Sequence, residues 1–318
     1  MNSAAHVATW IDKVVPAETV APGLIEELRD FLDRRARAAV VGLDPALLPL
    51  RLPKSRLAAL ERCERMAVAQ AEPSDEPEVP TDEMFKGLAL DRFVVHQLTL
   101  GRVLDPVETL REMFLAEGEA ELVDHIEVRE EEDLDRLNSM LGPLATAASD
   151  GWSGIDPSWL PRTQSRALAV FDQGGVVCSG RLDVELGGGV TGLPGVVVEI
   201  KSGQPRSDHL AEMYYYALLV ALRDRRAPGA MLCWYPNSAP LGAPVSAALL
   251  ESVAMRIADS MQTWASLVGR SDLPAPAETS GAWCRWCPDA DRCPSSSTTF
   301  STASTFSTES DLEPDMGA

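Results

Sequence analysis

Residues 175–203 read GVVCSGRLDVELGGGVTGLPGVVVEIKSG, two apolar runs joined by a glycine-rich turn, and they set Asp183, Glu199 and Lys201 inside an otherwise apolar β-hairpin. The run at 196–201 has strand length and is bounded by Pro194-Gly195 and Ser202-Gly203, which predicts a core strand. Side chains alternate along a strand, so Val197, Glu199 and Lys201 share one face while Val196, Val198 and Ile200 share the other. Asp183, on the preceding strand, is close enough across the turn to join the charged face. Two carboxylates and an ammonium are costly in apolar surroundings unless they are paired or hold a metal. The pattern therefore predicts a metal site, against the plainer possibility of a Glu-Lys ion pair on a half-exposed edge strand. The choice of lysine adds weight. Of 28 basic residues only Lys13, Lys54, Lys86 and Lys201 are lysines, and a compact ammonium is not interchangeable with a guanidinium fork.

The six cysteines fall into two kinds. Cys178 and Cys233 lie in strand-like apolar runs, VVCSG and AMLCWY, where a thiol behaves as a small hydrophobe. Cys284, Cys287 and Cys293 form C-x2-C-x5-C in AWCRWCPDADRCP, a spacing that lets three thiolates converge on one metal centre. Cys63, in SRLAALERCERMAV, is the remaining cysteine outside a strand-like run and would complete a four-cysteine set by spatial pairing. Four thiolates bind either Zn or an iron-sulfur cluster. Disulfides are disfavoured, because residues 1–20 carry Asp12 and Lys13 and show no apolar signal core.

With these motifs in order, the chain resembles the RecB-type nucleases of the PD-(D/E)XK superfamily that carry an iron-sulfur staple. That group includes the CRISPR-associated adaptation exonuclease and the nuclease domain of AddB. The resemblance spans 57–294: an early cysteine, a helical histidine, an aspartate, Glu-x-Lys, a helix with a tyrosine, then three clustered cysteines. It implies that His96, in DRFVVHQL, is a helical metal ligand, that Asp183 is the central aspartate, and that Glu199 and Lys201 are the E-x-K pair. It implies further that Tyr216, in HLAEMYYYALLVAL, is the tyrosine of the Q-x-x-x-Y helix, and that the four cysteines hold a 4Fe-4S cluster, with structural Zn as the alternative. Two positions depart from the pattern: Glu212 stands where the family usually has Gln, and Cys63 is followed by Glu64 rather than Pro. The implied fold is a PD-(D/E)XK restriction-endonuclease-like α/β core, a central mixed sheet flanked by helices, with an N-terminal helical part and the C-terminal cysteine cluster. Asp183, Glu199, His96 and the Ile200 carbonyl would hold Mg²⁺ or Mn²⁺, and Lys201 would position the attacking water. The implied activity is DNA hydrolysis at single-stranded or free ends, in repair, recombination or defence. A catalytically inactive metal-stapled scaffold that binds DNA or a protein is the alternative.

Composition sets the frame. With 45% hydrophobic residues and no apolar run of membrane-spanning length, the chain reads as a cytoplasmic enzyme with a sizeable core and no membrane partner. Hydrophobic periodicity predicts helices over 24–41, 57–69, 82–100, 207–225 and 245–268, and strands within 166–185, 196–201 and 230–235. Residues 73–80 read as a linker and 117–136 as an acidic, helical or partly mobile stretch. The predicted division is an N-terminal helical segment (1–53), a nuclease domain closed by the cysteines (54–294) and a disordered acidic Ser/Thr-rich tail (295–318). Tyr214 to Tyr216 read mostly as core packing, and His125 and His209 as surface residues. A net charge of −20 opposes binding of a polyanion. DNA affinity must then be local, supplied by Arg162, Arg166, Arg181 and Arg206 around the site and Arg223, Arg225 and Arg226 beyond it, or by a protein partner.

Overall fold

The computed structural model describes residues 6–13, 20–72, 81–127, 131–269 and 275–296. The first half is mostly helical: α1 (Val7–Ile11), α2 (Pro22–Val40), β1 (Leu50–Pro53), α3 (Lys54–Arg62), α4 (Glu64–Ala69), α5 (Asp82–Thr99), α6 (Pro106–Glu117), α7 (Ala120–Glu127) and α8 (Glu131–Gly151). The second half supplies most of the sheet: β2 (Arg162–Phe171), β3 (Val176–Leu186), β4 (Val196–Ile200), α9 (Ser207–Asp224), β5 (Ala230–Trp234), β6 (Leu241–Pro244) and α10 (Ala247–Val268).

The fold is α/β, a mixed six-stranded sheet flanked by helices, and β3 is its hub. Its 11 residues pair antiparallel with β2 along one edge, while the other edge is divided between β1, parallel, and β4, antiparallel. After β4 the chain crosses over through α9 and returns as β5, parallel to β4, with β6 antiparallel outside it. Strands covered on both faces read as continuous apolar runs, and VVVEI in β4 and AMLCW in β5 do so. One core lies between the sheet and α2, α9 and α10, built on Leu28, Leu32, Met213, Leu218, Ile257 and Met261. The other lies between the sheet and α5, α6 and α8, built on Phe85, Phe93, Phe114, Leu141 and Trp152. The alternation expected in β4 holds: Val197 enters the first core, Val196 and Val198 the second.

Strand β3 breaks that alternation. Leu182 belongs to the first core and Val184 to the second, although residues two apart on a regular strand share a face. The strand therefore turns over at Asp183. Opposite it, Gln164 takes a left-handed backbone (φ 53°), rare for a residue with a side chain, and the pair Gln164/Asp183 is missing from an otherwise unbroken β2–β3 ladder.

Two sequence expectations change. The helix predicted over 57–69 is two helices, because Cys63 is extended (φ −167°, ψ 122°) and ends α3 while its carbonyl starts α4. The predicted N-terminal helical segment is not only helical: its last residues form β1, too short for a periodicity signal, and α2 packs into the same core as α9 and α10. The acidic stretch at 117–136 keeps its helical reading: its described residues are the end of α6, a turn at Gly118 and Glu119, α7 and the start of α8. The linker at 73–80 and nearly all of the tail from 297 lie outside the described residues.

The close approach of α9 to β3 generates a packing prediction. A Cβ added at Gly180 would collide with Cε1 of Tyr216. Gly180→Ala is expected to cost about 1–3 kcal/mol in chemical denaturation, whereas Gly203→Ala, which meets nothing within 4 Å, should stay within about 0.5 kcal/mol of the parent.

Candidate active site

The hairpin's charged residues do converge, with company. Glu199 is 7% exposed, and its Oε1 accepts hydrogen bonds from Lys54 Nζ at 2.5 Å and Lys201 Nζ at 3.0 Å. Glu212, in the second turn of α9, stands 3.5 Å from Lys201 Nζ, 3.9 Å from Lys54 Nζ and 3.4 Å from Arg62. Asp183 turns its Oδ2 to the backbone N–H of Ile200, 2.7 Å away, tying β3 to the end of β4. The Tyr216 ring lies under Lys54, with Nζ 4.7 Å from the ring centroid.

The electrostatics follow from this crowding. Burial, then the neighbouring Glu199 and Asp91 carboxylates, push the Asp183 carboxyl up to about 8. Burial also works against ionised Glu199, but Lys54 and Lys201 outweigh it and hold that carboxyl below its usual range. The two ammoniums are drawn down by burial and raised more strongly by Glu199, so both stay charged. Asp91, on α5, is raised by burial despite Arg92 and Arg181. Gln164 Nε2 donates to both of its oxygens at 2.7 Å, so the strained residue opposite Asp183 also positions Asp91.

His96 is engaged elsewhere. Its Nδ1 lies 2.9 Å from the carbonyl of Gly101, at the C-terminal end of α5. Asp91 stands five positions earlier, about 140° around the helix, so the carboxylate is the member of α5 that acts on Asp183. Tyr216 is buried at 5% exposure, and burial, then Glu199, raise its hydroxyl far above the usual phenol range. Its ring supports Lys54. Sequence reasoning missed Lys54, Asp91 and the placement of Glu212 inside the cluster. The signal for Lys54 was at hand in the scarcity of lysine, since two of the chain's four meet on one carboxylate.

Several basic residues expected to face DNA are occupied. Arg223 and Arg162 lie 2.5 and 3.5 Å from Glu185, a 3%-exposed carboxylate that also accepts from Ser165 Oγ at 2.5 Å. Arg181 donates to Gln164 and Arg206 pairs with Asp208. The histidines read as surface residues are half-buried: His125 lies against Phe85 with ring centroids 4.9 Å apart, and His209 Nδ1 is 2.8 Å from the Tyr235 hydroxyl.

All six cysteines are free thiols. Cys178 and Cys233 are fully buried core residues, as expected, and burial pushes each thiol up to about 12. Cys63 presents its Sγ to the carbonyl of Ala277 at 3.6 Å, at the start of the cysteine-bearing segment. Burial raises the Cys287 thiol against a backbone hydrogen bond at Asp289, and the neighbouring Cys63, Asp289 and Cys293 add to the rise. Cys284 Sγ accepts the N–H of Gly281 at 3.4 Å. The two segments are clamped by Arg65, which binds Glu278 and Asp289 at 2.5 Å each and the Arg292 carbonyl at 3.0 Å. Among the described residues, no group of three or more His, Cys, Asp or Glu side chains is arranged so that it could hold a metal ion.

No protein-family model matches this chain, and no curated protein matches it. A solved structure described as "Crystal structure of SSO0001" aligns over 86% of this chain and 97% of that one, at 15% identity and a TM-score of 0.35, a likeness too distant to bear on the chemistry. No helix among the described residues is long and apolar enough to cross a membrane.

The crowded carboxylates make a pH prediction. Folded Asp183 keeps its proton to about pH 8, while an unfolded aspartate loses it near about 4. The folded state binds more protons between those values, so this group's contribution to stability falls as pH rises from about 4 to about 8. In chelator, Asp183→Asn should raise the melting temperature by a few degrees near about pH 8.5, and by less and less toward about pH 5. A gain independent of pH, or a loss at the alkaline end, would contradict the buried, proton-bearing Asp183.

Proposed function

We propose that Asp183, Glu199 and Lys201 form the active site of a metal-dependent DNA nuclease of the RecB type, within the PD-(D/E)XK superfamily that the sequence resembles. The observation that carries the reading is the meeting of Asp183 and Glu199 on adjacent antiparallel strands, with the Lys201 ammonium on Glu199. Supporting it is the raised Asp183 carboxyl, caused first by burial and then by repulsion from Glu199 and Asp91. Hard oxygen donors suit Mg²⁺ or Mn²⁺; the carboxylate pair Asp183 and Glu199, with the Ile200 carbonyl, would hold one, while Asp91, bound by Gln164 and Arg92, acts on Asp183 through its charge. When bound, such an ion polarises the phosphate and lowers the pKa of a water.

The chain's own groups do the rest. Lys201 orients the attacking water and offsets charge gathering on the phosphorane. Lys54, held over the Tyr216 ring, supplies a second ammonium to the phosphate oxygens. Glu212 keeps both ammoniums at the site mouth, which gives the acid at the family's glutamine position a part to play. Cys63, Cys284, Cys287 and Cys293, free thiols on two segments that Arg65 clamps together, would carry a 4Fe-4S cluster once drawn closer than they stand in this structure. Its part would be structural, fixing the cysteine segment beside the site.

Two experiments test this. Lys201→Ala and Asp183→Ala should each lower Mn²⁺-dependent cleavage of single-stranded DNA by about a hundredfold or more, and Lys54→Met by about tenfold or more, with folded circular-dichroism spectra. Parent-like cleavage by the first two variants rejects the proposed site. For the cysteines, iron and acid-labile sulfide per chain are measured after anaerobic purification. Cys63→Ser, Cys284→Ser, Cys287→Ser and Cys293→Ser should lose both, while Cys178→Ser and Cys233→Ser keep them. Full iron in Cys63→Ser removes that residue from the set, and zinc without sulfide in the parent replaces the cluster with a structural zinc.

A further inference from the structure

A groove of about 470 Å³ leads away from Lys201, past the first turns of α9, to the cysteine-bearing segment. Its walls include Arg62, Arg206 and Arg285 together with Trp283 and Trp286. Four cations line it against two carboxylates, Asp208 and Glu212, in a chain whose net charge is −20. It is thus locally basic on an acidic protein. Trp286 is 56% exposed, a large apolar ring left in water, and the Arg285 guanidinium stacks 3.9 Å from its centroid. Trp283 is anchored by its indole N–H on the Thr279 carbonyl at 3.1 Å, which fixes its ring at the groove wall. Arg62 reaches its acidic neighbours only at 3.4 and 3.7 Å, so it is steered by them rather than saturated.

Cations alternating with accessible indole faces are the composition that holds single strands, because bases stack on the rings while phosphates follow the charges. A duplex hides its base faces and could use only the charges. We propose that this groove binds single-stranded DNA, with bases on Trp286 and Trp283 and phosphates on Arg62 and Arg285, and that it delivers the strand to Lys201. The delivery step rests on the hydrolytic reading of the Asp183–Glu199–Lys201 cluster; the choice of ligand rests on the groove itself. Arg285 occupies the Trp286 face in the unliganded chain, and an incoming base would share or displace that stack.

The test uses the full chain, a fluorescein-labelled dT12 oligonucleotide and a blunt duplex of the same length, read by fluorescence anisotropy in chelator so that nothing is cleaved. Trp286 is exposed, so Trp286→Ala should leave the melting temperature and iron content unchanged. It should weaken dT12 binding by about 5- to 100-fold, the usual value of one base–aromatic stack, with duplex binding unaltered and most of the loss recovered by Trp286→Phe. In Mn²⁺ the same variant should raise KM for single-stranded DNA with little change in kcat. Parent-like dT12 affinity in Trp286→Ala, or no dT12 binding by the parent chain, overturns the groove. Tighter binding of oligo(rU) than of dT12 overturns the choice of DNA. The two readings fail separately: a parent chain that binds dT12 through Trp286 but cleaves nothing keeps the groove and loses the nuclease. One that cleaves normally with Trp286→Ala unaffected keeps the nuclease and loses the groove.

Discussion

Two carboxylates on neighbouring strands, buried together and held by one backbone N–H and two ammoniums, are the constraint around which this molecule is arranged. Asp183 and Glu199 repel each other where water screens them poorly, and the fold answers at each level. Strand β3 turns over at Asp183, so that its carboxylate meets the Ile200 N–H instead of entering the second core. Gln164 accepts a left-handed backbone on the facing strand and uses its side chain on Asp91. Strain of this kind costs of order 1–3 kcal/mol and persists where the surroundings impose it, most often at functional sites. Here the imposing surroundings are the unbroken ladder on both sides of the distortion.

The lysines show how topology completes what the hairpin begins. Lys54 is 145 residues from Glu199 in sequence. It reaches the site because β1 pairs parallel with the first half of β3, which brings the start of α3 to the open edge above β4. A hairpin is local, and the alternating faces of β4 and the charged triplet could be read from residues 175–203 alone, whereas the turning over of β3 at Asp183 could not. Helix α9, helix α10 and the two core cysteines were legible for the same reason. Lys54 was not, since four residues of β1 carry too short a pattern to announce a strand and nothing local says which strand it will join. Asp91 failed to stand out for another reason. Ordering motifs along the chain ignores helical phase, and on α5 the phase that faces Asp183 belongs to Asp91, while His96 closes its own helix. Glu185 was equally silent, because its partners Arg223, Arg162 and Ser165 come from a helix and a neighbouring strand.

The cysteine segment is held to the rest by polar contacts, among them the Cys63 thiol on the Ala277 carbonyl. Arg65 opens α4 and reaches three acceptors on the far segment, while Glu64 accepts the backbone N–H of Ala277. The break at Cys63 lets both occur, because an unbroken helix through 54–69 would carry residues 64 and 65 along a different axis. One extended residue thus ends α3, aims a thiol at Ala277 and turns α4 toward its partner segment. Trp283 and Trp286 ride on that same segment, so whatever fixes the cysteines also fixes the aromatic wall of the groove beside Lys201.

On the proposed nuclease reading an acidic chain would handle an acidic polymer, which looks contradictory only if charge is summed over the whole surface. At physiological ionic strength the field of exposed charges decays over about 8 Å, so distant carboxylates weigh little against cations that touch the strand. Many of the chain's arginines cannot serve as such contacts, since Arg162 and Arg223 neutralise Glu185, Arg65 ties the cysteine segment and Arg256 pairs with Glu61. The cations that remain beside the active site, Lys54, Lys201, Arg62 and Arg285, lie along one path from the carboxylate pair to Trp286. Glu199 and Glu212 are the carboxylates that hold the two ammoniums on that path. On the proposed reading global acidity would work in favour of selectivity, because it opposes nucleic acid everywhere except where those cations and the indole rings meet it together.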